Sequence, residues 1–292
     1  MEELIFMKFT GFNTKSNIRF TAMLCLAFVT LPLIFSSCNS ANTSTDSGKL
    51  SSKLEIIGST STQKLFETLA DEFVIKNPKV KINYQGVGSS KGIKAVKDGT
   101  GDIGTSSREL KEEEKSWGLK EYVLAKDGIA IAINPGNQKN ELTVDQITKI
   151  FKGEITNWKD IGGKDRKIIV LSREAGSGTR GAFEELLKIE DQVVKEALVY
   201  DGNGPMKAAI ASTEDAIGYI SFGYMDDSVK TLRIDGVEPT IENVLSGSYP
   251  LSRPFIIMTK GEAEGLAKSF IDFALDKEGQ SIVKDEGYIP IK

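Results

Sequence analysis

From Lys53 onward, short β-rich runs alternate with runs of helical periodicity, an alternation that restricts the chain to layered α/β architecture. Residues 54–57 read as a strand and 62–75 as a helix with Leu65, Phe66, Leu69 and Phe73 on one face. A strand over 80–84 and a short helix over 90–97 follow. Residues 122–133 hold one or two strands, with Lys126-Asp127-Gly128 as the interruption. Residues 144–151 form a helix stopped at Gly153, then come a strand at 168–171 and a helix at 178–187. Strands at 218–222 and 254–258 precede a last long helix over 261–276. The acidic run 111–115 reads as a solvated helix face. At 292 residues the chain can bury the cores of one large or two ordinary domains.

Composition removes much of enzymology. There is no His, which excludes Ser-His-Asp and Cys-His catalysis and any His-ligated metal. The two Cys, at 25 and 38, supply neither a zinc site nor a disulfide framework. A net charge of −4 argues against a nucleic-acid partner.

The N-terminal segment reads as a leader. Lys8, Lys15 and Arg19 precede an apolar run from Phe20 to Phe35, then Ser36-Ser37-Cys38. The run is shorter than the roughly 20 apolar residues of a spanning helix and contains Pro32. Cleavage before Cys38 gives the arrangement of a bacterial lipoprotein: a signal peptide over 1–37, a lipidated Cys38, and a polar, Ser/Thr-rich tether over 38–52. Phe35 stands where such leaders usually carry Leu, and Met7 is an alternative start because Met1–Phe6 adds two acids to a region that should be basic. The protein is then expected at the outer face of the cytoplasmic membrane, held by lipid.

Three segments share one design, a strand followed by Gly with hydroxyl residues and then a helix. They are Gly58-Ser59-Thr60-Ser61-Thr62, Gly86-Val87-Gly88-Ser89-Ser90, and Arg173-Glu174-Ala175-Gly176-Ser177-Gly178-Thr179. A fourth, Asp102-Ile103-Gly104-Thr105-Ser106-Ser107-Arg108, has the same residue types but a less definite helix pattern behind it. Each offers unpaired backbone N–H groups and the positive end of a helix dipole, with hydroxyls as further donors. One such turn is an ordinary cap; four with an Arg point to an oxyanion ligand. Other motifs fail: Lys91 stands where a dinucleotide loop needs its third Gly, no Gly-Lys-Ser/Thr run makes a P-loop, and Ser177 has no base. A calcium loop suggested by Asp98, Thr100 and Asp102 lacks its remaining ligands.

In this order, these segments resemble the phosphate-binding lipoproteins of ABC-type phosphate importers, the PstS family. The likeness covers about residues 54–291 and includes Ile150-Phe-Lys-Gly-Glu-Ile-Thr-Asn-Trp158 with Gly162-Gly163, and Gly218-Tyr-Ile-Ser221. Tyr249-Pro-Leu-Ser-Arg-Pro254 and Gly287-Tyr-Ile-Pro290 complete it. The resemblance implies a two-lobed, hinged α/β protein of the periplasmic-binding-protein type II kind, each lobe a mixed sheet flanked by helices. Lobe 1 would be 53–133 plus 253–292 and lobe 2 would be 134–252, with the ligand in the cleft between them. By position, Thr60, Ser61, Ser89 and Ser107 would contact phosphate from lobe 1, and Arg173, Ser177, Gly178 and Thr179 from lobe 2. The implied activity is capture of inorganic phosphate and its delivery to the permease subunits and cytoplasmic ATPase of an ABC importer. No enzyme activity, cofactor, metal or nucleic acid is implied, and a monomer suffices.

One departure bears on selectivity. The best-understood relatives place an Asp where this chain has Ser107, and a fixed acceptor there distinguishes protonated phosphate from sulfate. Glu174, Asp102 or a backbone carbonyl are the substitutes on offer. Arg108 has two readings, a second cation facing the ligand or the partner of a carboxylate such as Glu174. Trp158 and Asn157 are expected to stabilise lobe 2 rather than touch ligand. The competing functions are a receptor for sulfate, molybdate or tungstate, a surface phosphatase, and a surface sensor or adhesin.

Overall fold

The computed structural model describes residues 53–291; the leader read over 1–37, Cys38 and the tether lie outside them. The first stretch is β1 (Lys53–Gly58), α1 (Gln63–Lys76), β2 (Lys81–Gly86), α2 (Ser89–Asp98), β3 (Ile103–Ser106), α3 (Glu112–Lys115) and the long β4 (Leu119–Ile133). The second is β5 (Glu141–Leu142), α4 (Val144–Phe151), β6 (Ile169–Arg173), α5 (Gly178–Leu187), β7 (Leu198–Tyr200) and α6 (Asn203–Ser212). It continues through β8 (Ala216–Ser221), β9 (Lys230–Thr231), β10 (Arg233–Ile234) and α7 (Ile241–Leu245). The chain returns through β11 (Ser252–Lys260), α8 (Gly265–Leu275), α9 (Lys277–Asp285) and β12 (Ile289–Pro290).

The strands lie in the order β2-β1-β3-β11-β4-β8-β6-β7. β1 pairs in parallel with β2 and β3, and β6 in parallel with β7 and β8. β11 runs antiparallel to β3 and β4, and β4 antiparallel to β8, so the architecture is mixed α/β.

β4 is the seam. Up to Gly128 it pairs with β11, and from Ile129 it pairs with β8. Its burial changes just before that place, from a partly exposed stretch that ends at Lys126 to an unbroken buried run Asp127–Ile133. The two halves serve separate apolar cores. One packs Leu54, Ile56, Leu65, Phe66, Phe255 and Phe270. The other packs Ile131, Phe151, Trp158, Phe183, Tyr219 and Ile220. The 3.6-residue spacing of Leu65, Phe66, Leu69 and Phe73 turns one face of α1 into the first core, and the wholly apolar or small β8 lies inside the second. α4 starts at a capping box in which Thr143 Oγ1 accepts from the Gln146 N–H. Trp158 is buried in the second core, with Nε1 donating to the Asp215 carbonyl.

Several sequence expectations need correction. Of the one or two strands read over 122–133 a single one forms, and only the interruption at Lys126-Asp127-Gly128 is corrected, because Asp127 is paired across to Arg253 rather than turning to solvent. The long helix over 261–276 begins only at Gly265, since Gly261 takes a left-handed φ of 72°, and a further helix, α9, follows from its Asp276 cap. In the run 111–115, Glu114 is buried rather than solvated. The segment 102–108 is a strand ending in a bend, with no helix directly behind it.

Candidate functional site

Three helix N-termini and one strand end meet between the cores. The first turn is fixed from below: Tyr84 donates its hydroxyl to the Ser59 carbonyl at 2.6 Å, and the Thr62 hydroxyl bonds the Thr105 hydroxyl at 3.0 Å. Thr62, the residue before α1, makes no side-chain cap, so the first-turn N–H groups keep no side-chain partner of that kind. At the second turn Gly88 precedes α2 with φ 103°, a conformation that only Gly adopts without strain. At the third, Ser177 caps α5 by accepting from the Arg180 N–H at 3.2 Å.

The expected residues come together. Ser61, Ser89, Ser107, Arg173, Ser177 and Thr179 are all buried, and Thr60 is half-buried. Ser61 Oγ and Thr179 Oγ1 bond at 2.7 Å from opposite cores. Arg173 Nη2 donates to Thr60 Oγ1 at 2.9 Å, and the Ser90 N–H to the Gly176 carbonyl at 3.1 Å. Ser107 takes a hydrogen bond from Ser59 Oγ at 2.8 Å, while its N–H donates to Ser89 Oγ at 3.1 Å. Gly178 faces that pair: a Cβ there would fall on Ser89 Oγ and lie 2.6 Å from Ser107 Oγ. The absence of a side chain at 178 is what lets α5 approach α2 this closely.

The electrostatics centre on Arg173. Its guanidinium is fully buried and forks onto Glu174, with Nε–Oε2 at 2.8 Å and Nη2–Oε1 at 2.9 Å. The Arg173 N–H donates to the Tyr219 hydroxyl, whose pKa burial pushes up to about 12, so it stays a neutral partner. Arg173 Nη1 is buried and has no hydrogen-bond partner among the described residues. A buried guanidinium with an unused N–H edge beside three helix N-termini is an arrangement for a tetrahedral oxyanion.

Of the groups offered in place of an Asp at 107, Asp102 lies elsewhere, accepting from the Glu55 N–H at 2.8 Å on an exposed edge. Glu174 is committed to Arg173 and to the Gly202 N–H. Arg108 is a structural cation, and its partner is Glu114, not Glu174. It forks onto that carboxylate at 2.7 and 2.8 Å and also reaches Ser90 Oγ at 3.1 Å. Burial alone would raise the Glu114 pKa, but the Arg108 hydrogen bonds and the Lys111 N–H outweigh it and hold the carboxyl below its ordinary value.

Sequence reasoning missed Asn203, Arg253 and Tyr224. Asn203 Nδ2 and Arg253 Nη2 both donate to Ser61 Oγ, at 3.0 and 3.1 Å, and the Tyr224 hydroxyl donates to the Thr60 carbonyl at 3.0 Å. A signal existed for Asn203, since Gly202 with φ 104° opens α6 much as Gly88 opens α2. For Arg253 the signal was a lone charge at the head of the apolar run Phe255–Met258.

Comparisons with known proteins place the chain in a class. A sequence model described as the PBP superfamily domain matches residues 40–278, so the chain is a member of that superfamily, with its type II α/β fold. It belongs, within it, to the PstS family of phosphate-binding proteins. The phosphate-binding protein PstS of Bacillus subtilis is 38% identical over 281 residues, covering 92% of this chain and 93% of its own length. A Clostridium perfringens structure, described as a phosphate ABC transporter substrate-binding protein with bound phosphate, is similar at 47% identity and TM-score 0.80. It covers 82% of this chain and 100% of its own. An ABC-type phosphate transport receptor from Vibrio cholerae is similar at 39% identity and TM-score 0.70, over 81% and 99% of the two chains.

Proposed function

We propose that this protein is the extracytoplasmic receptor of an ABC phosphate importer, which captures inorganic phosphate and delivers it to the permease subunits and their cytoplasmic ATPase. The observation that carries this is the convergence of Arg173 and the α1, α2 and α5 N-termini on one buried hydroxyl cluster. The relatives of known name, which are substrate-binding transport proteins, support the same ligand class.

In this reading Thr60, Ser61, Ser89 and Ser107 donate from one side, and Arg173, Ser177, Gly178 and Thr179 from the other. The two cores act as lobes, divided as 53–133 with 253–292 and 134–252 except that Ile129–Ile133 pack in the second core, and the flexing connections are the middle of β4 and the start of β11. Closing the lobes excludes water and strengthens every hydrogen bond to the anion. The protein works as a monomer, makes and breaks no covalent bonds, and is held at the outer face of the cytoplasmic membrane by lipid on Cys38.

Calorimetric titration of the full chain in mild detergent, stripped of co-purified anion, tests the reading. One-to-one phosphate binding with weak or absent sulfate binding is expected. Equal binding of both would make it a general oxyanion receptor, and binding of neither would overturn the proposal.

A further inference from the structure

Arg253 sits on β11 in register with Asp127 on β4, at the level where both strands pass between the cores. Asp127 is fully buried and Arg253 is 4% exposed. Asp127 Oδ2 accepts from Arg253 Nε at 3.1 Å and Nη2 at 2.8 Å, while Oδ1 accepts from the Phe222 N–H at 3.2 Å. The same Nη2 reaches Ser61 Oγ, the hydroxyl that bonds Thr179 across the cleft. Arg253 Nη1 is buried without a hydrogen-bond partner among the described residues, as is Arg173 Nη1.

A pair this deep is a poor device for stability, since removing both charges from water costs about as much as their attraction returns. Burial pushes the Asp127 carboxyl up and the Arg253 guanidinium down, each against the pull of its partner. What the pair does provide is a second guanidinium edge at the hydroxyl cluster, through Ser61. Arg173 with Glu174 and Arg253 with Asp127 are two neutral pairs, so the cleft presents donors without a net charge of its own.

We propose that Arg253 is the second anion-binding guanidinium of the cleft, donating through Nη1 to the anion that Arg173 holds, and that Asp127 sets the charge that anion meets. This rests on the phosphate reading and adds a specificity determinant to it. With Asp127 in place, an oxyanion that can carry a proton is favoured over one that is fully ionised. Neutralising Asp127 leaves Arg253 uncompensated and favours the fully ionised dianion.

The test is phosphate and sulfate titration of the full chain as wild type, R253K and D127N, each well below its own melting temperature. Lys keeps the charge but gathers its three donors on one nitrogen, which cannot stand both beside Asp127 and Ser61 and at the separate position of Nη1, so R253K should bind phosphate at least about tenfold more weakly. D127N should raise sulfate affinity relative to phosphate by at least about tenfold. Folded R253K with wild-type phosphate affinity, or D127N with an unchanged sulfate-to-phosphate ratio, would overturn the inference. A wild type that fails to bind phosphate would instead remove the functional reading beneath it.

Discussion

At the scale of single residues, the two buried forked ion pairs made by Arg108 and Arg173 serve different ends. Arg173 keeps an unused N–H edge in the cleft, whereas Arg108 shares its terminal nitrogens among Glu114, the Glu109 carbonyl and Ser90. Arg173→Met removes the central donor and leaves Glu174 unpaired, a loss of about 2–5 kcal/mol in phosphate binding, or at least roughly 30-fold by titration. Glu114→Gln should leave phosphate affinity unchanged and lower stability at pH 7 by about 1.5–3 kcal/mol in urea unfolding. The acid dependence has a definite sign. The Glu114 pKa lies below its unfolded value, so its stabilisation is complete above that value and disappears as pH falls through the folded one. The gap between wild type and variant should therefore begin to narrow as pH falls below the unfolded glutamate value of about 4.3 and close only once pH has passed through the lowered folded one.

At the scale of elements, the site depends on how closely α5 approaches α2. Gly178 is a helical first-turn residue, so Ala there costs the helix nothing, but its Cβ would collide with Ser89 and Ser107 only when the cores are together. Gly178→Ala should melt near the wild-type temperature yet bind phosphate about 5- to 150-fold more weakly, the range set by an overpacking cost of about 1–3 kcal/mol. An unchanged affinity would mean that the two turns do not close on the ligand together.

The elements also show what could be read without a structure. α4 and α5 are legible because a Thr or Ser cap precedes a periodic apolar face, and both begin and end where the sequence places them. α9 is hidden because Asp276 ends one helix and caps the next. α6 is hidden by weak amphipathicity, with Gly, Pro and Ala across much of its length. In the site, residues within Gly-hydroxyl turns declare themselves by local pattern. Asn203 and Arg253 act over 142 and 192 residues of sequence separation, so a local cue can mark each residue but not its partner Ser61.

At the scale of the whole molecule, two cores are joined by strands rather than by a loose linker. β4 contributes to both, and the Asp127–Arg253 pair sits where it and β11 run side by side between them. Among the described residues no helix is long and apolar enough to cross a membrane. The central claim is that phosphate is the element that completes this cleft. Its most direct test is a crystal structure of the protein grown with phosphate. One phosphate is expected between the cores, with oxygens about 2.7–2.9 Å from Arg173 Nη1 and in hydrogen-bond reach of the Gly178 and Thr179 N–H groups. A phosphate bound elsewhere, or a cleft in which Arg173 meets only protein, would contradict it.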